Sequence, residues 1–389
     1  MTAADTSRAP LPRALILGEN ATPLWGMPAA ERLRRAVVRA GLQNVQILGN
    51  SAPPTVDGPV LLVSNRWVFD ETLLKDLAGK PETLLIDSAS NRLVAAHVPA
   101  ANAGEVAAVI AADGSAAGLP SHLRRTDAVG LSGAFNNALR KREPPYLLRL
   151  EPATRQAVER RMFDASYKGV TDGVTKYLWP RPAQVVTAWC ARLGISPNQV
   201  TLVGFVFVLA SFWLFWHGHY GWGLLSGWLM TFLDTVDGKL ARVTLTSSPI
   251  GGAFDHGIDL IHPPFWWWAW LVGLGAYGTP LLAETSQWVL GVILGGYVLQ
   301  RVLEGIFIQL FGMHMHVWRP FDSFFRLITA RRNPNLVILT PAWLLGRPDL
   351  GIVLVALWTG ASLLVHAAQI VQGLAARRHG KLQSWLSGQ

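Results

Sequence analysis

The sequence predicts a multi-domain protein in which a three-layer α/β domain precedes an all-α domain of six transmembrane helices. Half of the 389 residues are hydrophobic and only 15% are charged, whereas soluble domains carry about 25% charged residues. Most of the long apolar stretches come after residue 196, while the first 146 residues alternate short apolar runs with helix-like segments. These observations exclude a wholly soluble protein and predict one cytoplasmic part and one membrane part.

Cysteine content and charge limit the classes of function. Cys190 is the single cysteine, so an intrachain disulfide framework and a cysteine-based zinc site are excluded. The formal net charge is +9, which in a membrane protein favours contact with anionic headgroups. We therefore expect membrane lipids, and no nucleic acid, among the partners.

Residues 1–146 are predicted to form the cytoplasmic α/β domain. The first 13 residues lack the apolar core of a cleaved signal peptide, so we expect the N-terminus to stay in the cytoplasm. Strands alternating with helices predict a mostly parallel sheet with helices on both faces. The predicted strands are 14–17, 45–48, 60–63 and 83–86, and the predicted helices include 29–40 and 105–112.

Residues 147–195 are predicted to be a connector that ends in an amphipathic helix. Lys168, Lys176 and Arg192 alternate with aromatic residues such as Trp179 and Trp189. Such a mixture suits a helix lying at the membrane surface, although a surface helix of a soluble domain would look similar.

Residues 196–378 are predicted to be the membrane domain, followed by a cytoplasmic tail at 379–389. The connections between apolar stretches alternate between poor and rich in Lys and Arg. This alternation predicts six spans with both termini inside, as in a bacterial inner membrane protein. The predicted spans are 200–216, 221–243, 252–276, 288–310, 336–345 and 350–375, of which the fifth is short.

Four aspartates lie where the second predicted span ends and the third begins. Asp234 and Asp237 are three residues apart, and Asp255 and Asp259 are four apart, so each pair shares a helix face. An unpaired aspartate at membrane depth costs about 3 kcal/mol, and divalent cations are the simplest compensation. Carboxylates alone select hard ions such as Mg²⁺ or Mn²⁺.

The alternative is that these aspartates are helix caps or interfacial ion-pair partners. That is a fair interpretation for any one of them and a poor one for the set, because D-x2-D-G-x2-A-R-x8-G-x3-D-x3-D fixes eight positions. This motif resembles the signature of the CDP-alcohol phosphotransferase family, also called CDP-alcohol phosphatidyltransferases, and the resemblance covers roughly residues 168–378. It implies a homodimeric membrane enzyme of phospholipid synthesis with a cytoplasmic active site.

The resemblance also assigns roles. It implies that Asp234, Asp237 and Asp255 hold two Mg²⁺ or Mn²⁺ ions, and that Asp259 binds the second ion or acts as the base, with Asp255 and Asp259 the catalytic pair. An alcohol would attack the β-phosphorus of a CDP-alcohol and release CMP. The implied nucleotide-binding residues are Asn198, Thr201, Asp237, Gly238, Ala241, Arg242 and Gly251.

A second polar group interrupts the apolar stretches from residue 301 onward. One interpretation is that Arg301 and Glu304 form a buried pair while the other arginines contact anionic lipid. The other is that this group binds the phosphate of the acceptor. The candidates are Arg301, Arg319, Arg326, Arg331 and Arg332.

The first 146 residues faintly resemble the nucleotidyltransferase fold, with departures that predict a degenerate domain. The loop after the first strand offers Gly18 and Gly26 but no basic residue for a triphosphate. Asn65 stands where a metal-binding aspartate is expected, and Asp70 is a weak substitute.

The sequence therefore favours a CDP-alcohol phosphotransferase with CDP-diacylglycerol as donor and a polar or phosphorylated alcohol as acceptor. Two alternatives stay open. One is a bifunctional cytidylyltransferase and phosphotransferase that uses a soluble CDP-polyol donor and a lipid acceptor. The other is a membrane scaffold or transporter without catalysis.

Overall fold

A computed structural model describes residues 13–51, 54–246 and 249–387 of the chain. Contacts divide the chain into two compact units. The first contains the residues up to 136, together with 142–165 and 243–245. The second contains 137–141, 166–242 and the residues from 246 onward. The connecting residues 147–165 thus group with the first unit.

The first unit is α/β. Its strands are β1 Arg13–Leu17, β2 Val45–Gly49, β3 Val60–Ser64, β4 Trp67–Phe69, β5 Thr83–Asp87, β6 Arg92–Val98, β7 Arg124–Thr126, β8 Phe135–Asn136, β9 Lys141–Arg142 and β10 Leu147–Arg149. Its helices are α1 Ala29–Arg39, α2 Glu71–Ala78, α3 Ala100–Ala111, α4 Ala128–Ser132 and α5 Arg155–Ala165.

The main sheet is mixed, with strand order β2-β1-β3-β6-β5-β7. β1 pairs in parallel with β2 and β3, and β5 pairs in parallel with β7, but β6 is antiparallel to both β3 and β5. The prediction of a mostly parallel sheet did not include the antiparallel strand β6. A short turn, in which the Ser90 backbone N–H donates to Asp87, joins β5 to β6, and strands joined by such a turn must run antiparallel.

Helices cover both faces of this sheet, as the three-layer prediction requires. Along β1, Ala14 and Ile16 pack with Leu33 of α1 in one buried cluster. Leu15 and Leu17 belong to a second cluster. The alternation follows from the two-residue period of a strand, which sends neighbouring side chains to opposite faces.

The second unit is helical. Its helices are α6 Pro180–Arg192, α7 Pro197–Trp216, α8 Tyr220–Thr244, α9 Pro249–Tyr277, α10 Ala283–Phe311, α11 Pro320–Phe325, α12 Arg332–Leu344 and α13 Pro348–Arg377.

Three of the described helices, α7, α10 and α13, are long and apolar enough to cross a membrane, which makes the chain an integral membrane protein. The count of six spans is not established by these helices. α8 and α9 are long enough but carry the four aspartates. α12 has 13 residues, and at 1.5 Å per residue it covers about 20 Å of a core about 30 Å thick.

Bulky tryptophans and small glycines hold the helices of the second unit together. Trp266 and Trp270 are fully buried, and their indole N–H groups donate to the backbone oxygens of Val208 and Pro348. These tryptophans therefore serve the packing of the helices. At Gly273 on α9, an added Cβ would lie closer to the Phe215 carbonyl oxygen at the end of α7 than van der Waals contact allows.

We expect Gly273→Ala to lower the stability of the helical unit by about 1–3 kcal/mol, because the methyl group would force α7 and α9 apart. Gly275→Ala on the same helix is the matched control, since nothing lies within 4 Å of a Cβ there. The measurement is the thermal unfolding midpoint in detergent. Equal midpoints for the two variants would contradict the close approach.

Candidate functional site

Three aspartates from α8 and α9 lie together. One carboxylate oxygen each from Asp234, Asp237 and Asp255 lies within 4.8 Å of the others. The sequence folds this way because residues three apart share a helix face, and α8 and α9 follow each other across a short connection. The two helices thereby bring three negative charges to one place.

These residues fit the divalent cation that the sequence motif implies. Asp237 is 3% exposed, and its Oδ2 accepts a hydrogen bond of 2.6 Å from the Thr201 hydroxyl. Its Oδ1 is buried without a hydrogen-bond partner among the described residues. A buried carboxylate oxygen without a partner is costly. A hard cation would satisfy that oxygen and neutralise the neighbouring carboxylates.

Arg332, at the start of α12, connects two of the four aspartates. Its Nη2 lies 2.6 Å from Asp234 Oδ2, and its Nη1 lies 2.6 Å from Asp259 Oδ1. The sequence predicted Arg332 as a ligand of the acceptor phosphate. In the structure its guanidinium lines the cavity and pairs with two carboxylates within hydrogen-bond distance, and its role towards the acceptor stays a prediction.

Two prolines alter the backbone of α9 beside the aspartates. Pro263 and Pro264 lie inside the helix and have no N–H, so the carbonyl oxygens of Asp259 and Leu260 lack their helical donors. The Tyr297 hydroxyl on α10 donates to the Leu260 oxygen at 2.8 Å. His262 packs against Trp266, and its Nδ1 donates to the Ile258 oxygen, so it is a packed histidine.

A cavity of about 340 Å³ opens at the aspartates. Eight Lys or Arg side chains and four Asp side chains line it within the described residues, so the cavity carries a net positive charge that suits a polyanion. The basic residues are Arg140, Lys168, Lys239, Arg242, Arg301, Arg326, Arg331 and Arg332, and the acidic ones are Asp172, Asp234, Asp255 and Asp259.

The predicted nucleotide-binding residues divide into two groups. Gly238 and Arg242 line the cavity, and Thr201 contacts Asp237. The structure does not bring Asn198, Ala241 and Gly251 to the cavity wall in the described part of the chain. A Cβ at Gly238 would meet only the end of the Arg242 side chain, at 3.8 Å, so the glycine leaves room on the cavity side.

The predicted acceptor-binding arginines also divide. Arg301 and Arg331 line the cavity and form ion pairs with Glu304 at 2.9 and 2.5 Å, so the expected Arg301–Glu304 pair is present. Arg326 lines the cavity, and its Nε and Nη1 have no hydrogen-bond partner within the described chain.

Arg319 lies elsewhere. It forms an ion pair with Asp322 and lies 4.1 Å above the Trp318 ring, and it is not among the residues that line the cavity. The sequence could not separate Arg319 from Arg326, Arg331 and Arg332, because all four follow α10 within a short basic stretch.

Several cavity residues were not recognised as site residues from the sequence. Lys168 was predicted to lie at the membrane surface, and the sequence predicted no role for Arg140 or Asp172. Asp172 accepts hydrogen bonds from the Asn333 side chain at 2.9 Å and from the Thr175 backbone at 3.0 Å. The one signal for this segment was its polar, glycine-containing run immediately before α6.

Burial and neighbouring cations lower the proton affinity of Lys168. Its ammonium is largely removed from water and faces Arg140, Arg242 and Arg326, and together these effects lower its pKa to about 8. Burial and Arg331 likewise lower the pKa of Arg140. Lys168 and Arg140 are thus buried cations that lie close to other cations.

Comparison with known proteins matches part of the chain to a protein family. Residues 194–330 match the CDP-alcohol phosphatidyltransferase family, a range that contains all four aspartates. Choline/ethanolaminephosphotransferase 2 of Arabidopsis thaliana is 37% identical over 112 residues, which are 24% of this chain and 27% of the relative.

Two microbial relatives match the same part of the chain. Archaetidylinositol phosphate synthase of Pyrococcus horikoshii is 37% identical over 82 residues, 20% of this chain and 42% of the relative. Phosphatidylinositol phosphate synthase of Streptomyces avermitilis is 30% identical over 95 residues, 24% of this chain and 39% of the relative. The chain thus spans less than half of the length of each of these relatives.

We expect inorganic phosphate to bind the cavity with an affinity that falls as the pH rises through about 8, because Lys168 then loses its charge. In Lys168→Arg the guanidinium stays charged, so the dissociation constant should stay nearly constant from about pH 7.5 to 9.5. Calorimetric titration of the detergent-solubilised protein measures this. Lys176→Arg, at an exposed position, is the control and should keep the wild-type profile; the same profile in Lys168→Arg would refute the role of Lys168.

Proposed function

The chain carries a CDP-alcohol phosphatidyltransferase domain, and from this premise we propose that it transfers a phosphatidyl group from CDP-diacylglycerol to a phosphorylated polar alcohol, with release of CMP. The observation that carries the proposal is one cavity whose wall contains two of the three clustered carboxylates, Asp234 and Asp255, together with an excess of cationic side chains.

Asp234, Asp237 and Asp255 are proposed to hold the divalent cations, Mg²⁺ or Mn²⁺, with Asp259 nearby. When bound, such cations neutralise the pyrophosphate and stabilise the charge that develops on the departing CMP. Gly238 leaves space for the nucleotide diphosphate, and Arg242 contributes a fixed positive charge beside it.

Asp259 is proposed to accept the proton of the attacking hydroxyl. Arg332 engages its Oδ1, which orients the carboxylate and leaves Oδ2 to face the acceptor. As the proton moves to Asp259, the bond from the alcohol oxygen to the β-phosphorus forms. The bond from that phosphorus to the oxygen bridging to CMP breaks, and CMP leaves with the electron pair.

The charge of the cavity favours a phosphorylated acceptor. The names of the relatives point to two kinds of headgroup, choline or ethanolamine in one case and an inositol phosphate in the other. Choline and ethanolamine are cations, and the cavity of this chain carries more Lys and Arg than Asp. An acceptor with a phosphate monoester complements Arg301, Arg326 and Arg331.

The proposal also covers the orientation of the chain in the membrane and its oligomeric state. The basic connections predict a cytoplasmic active site with both termini inside, and the family resemblance implies a homodimer. For the first unit we propose a repurposed rather than a catalytic role. Asp70, the weak substitute for a metal ligand, caps α2 by accepting from the Thr72 backbone N–H.

We expect Asp255→Asn to lower the rate of CMP release at least about 100-fold, because removing a ligand carboxylate weakens cation binding. Glu284→Gln, an exposed carboxylate at the start of α10, is the matched control and should keep wild-type activity. CMP is measured with purified protein, CDP-diacylglycerol and Mg²⁺ or Mn²⁺. Survival of CMP release in Asp255→Asn would contradict the cation-dependent mechanism.

We expect CMP release to require a phosphorylated alcohol when pooled polar alcohols and their phosphates are offered separately. Removal of divalent cations with a chelator should stop it reversibly. CMP formation from a soluble CDP-alcohol and diacylglycerol, but not from CDP-diacylglycerol, would reverse the assignment of donor and acceptor.

The bifunctional alternative is tested with the same full-length protein. Pyrophosphate release from CTP and alcohol phosphates is measured in Asp255→Asn, in which the transfer reaction is blocked. We expect none, because the first loop has no basic residue for the triphosphate. Pyrophosphate formation would establish the alternative.

A further inference from the structure

A five-residue segment far from the aspartates in sequence belongs to the second unit. Residues 137–141 connect β8 to β9 and group by their contacts with the helical unit. The Gly169 backbone N–H donates to the Leu139 oxygen at 2.9 Å. A Cβ at Gly169 would lie 2.6 Å from the Arg140 oxygen and 2.6 Å from Lys141 Cβ. The segment therefore lies against residue 169 so closely that only glycine fits there.

Arg140 occupies an unfavourable backbone conformation within this segment. Its φ is 50°, in the left-handed region that glycine and asparagine adopt far more readily than other residues. Local stability alone would favour glycine at this position. Arginine at this position therefore carries a backbone cost that glycine would not.

The Arg140 side chain lines the cavity together with Lys168 and Arg326. In the described part of the chain none of these three forms an ion pair with a carboxylate, whereas Arg301 and Arg331 share Glu304. Three unpaired cations around one cavity leave a charge that an anion must balance.

We propose that Arg140 is a ligand of the phosphate monoester of the acceptor, and that the segment 137–141 thereby selects phosphorylated alcohols over free alcohols. This inference rests on the proposed function. Residues 137–141 and Gly169 lie outside the range that matches the family, so this recognition belongs to the part of the chain that precedes the shared domain.

The charged neighbours of Arg140 indicate that it contacts the acceptor and not the donor. Arg331 and Glu304 act most strongly on Arg140, while Arg332 and not Arg140 pairs with Asp234 and Asp259. The pyrophosphate of the donor belongs with the aspartates and their cations. The charge on Arg140 is therefore available to the second substrate.

The decisive variant is Arg140→Gly, since glycine suits the backbone at this position and removes the guanidinium. Its thermal unfolding midpoint should be equal to or above that of the wild type. Its dissociation constant for inorganic phosphate, measured by calorimetry on the full-length solubilised protein, should rise about 10- to 100-fold. Arg140→Lys should recover part of the affinity. Arg192→Gly, at an exposed position of α6, should leave phosphate affinity unchanged.

Gly169→Ala tests the placement of the segment without changing Arg140. It should weaken phosphate binding nearly as much as Arg140→Gly, and the double variant should bind no more weakly than Arg140→Gly alone. Gly291→Ala is the control, because nothing lies within 4 Å of a Cβ there. Additive losses in the double variant would overturn the proposed role of the contact.

Steady-state kinetics distinguish the outcomes. The inference holds if Arg140→Gly raises KM for the phosphorylated alcohol and leaves KM for CDP-diacylglycerol unchanged. Unchanged phosphate affinity, or a rise confined to the KM for CDP-diacylglycerol, would overturn the inference while the proposed function stands. If the wild type neither binds phosphate nor releases CMP with any phosphorylated alcohol, the proposed function itself fails.

Discussion

Charge compensation inside a helical bundle is the constraint on which the rest of the structure depends. Carboxylates this close together repel one another in a medium that screens them poorly. The chain meets this constraint with specific contacts. Arg332 bridges Asp234 and Asp259, Thr201 donates to Asp237, and the remaining Asp237 oxygen is left for a cation. The short α12 begins at Arg332, and these two ion pairs tie its first residue to α8 and α9.

The cavity combines two arrangements with opposite requirements. At the aspartates, negative charges are gathered where a divalent cation would neutralise them. Around Lys168 and Arg326, positive charges are gathered with few counterions, which costs folding free energy until an anion arrives. Burial and the neighbouring cations lower the pKa of Lys168. Under the proposed function, the aspartates with their cations would hold the donor, and the other cationic side chains would hold the acceptor.

Local patterns made much of this structure predictable, and long-range contacts account for the rest. Helix α1 and strands β1 to β3 lie within a residue or two of their predicted bounds, because periodicity and turn residues act locally. Strand β6 was missed because it follows β5 after a short turn, where the sequence pattern predicted helices between the strands. The spacing of the aspartates indicated their clustering, since residues three apart share a helix face. No spacing could place Arg332 between Asp234 and Asp259 or bring Arg140 beside Lys168, because those contacts join segments far apart in the chain.

Pro263 and Pro264 have a mechanical consequence for α9. A helix normally resists bending because bending strains its ladder of backbone hydrogen bonds, but two bonds of that ladder are already missing beside Asp259. The Tyr297 hydroxyl replaces one of them from α10, and a single side-chain bond can break and re-form quickly. α9 therefore has a hinge at the level of the reacting groups. The N-terminal turns of α9, which carry Asp255, can therefore keep their shape while the helix bends at this point.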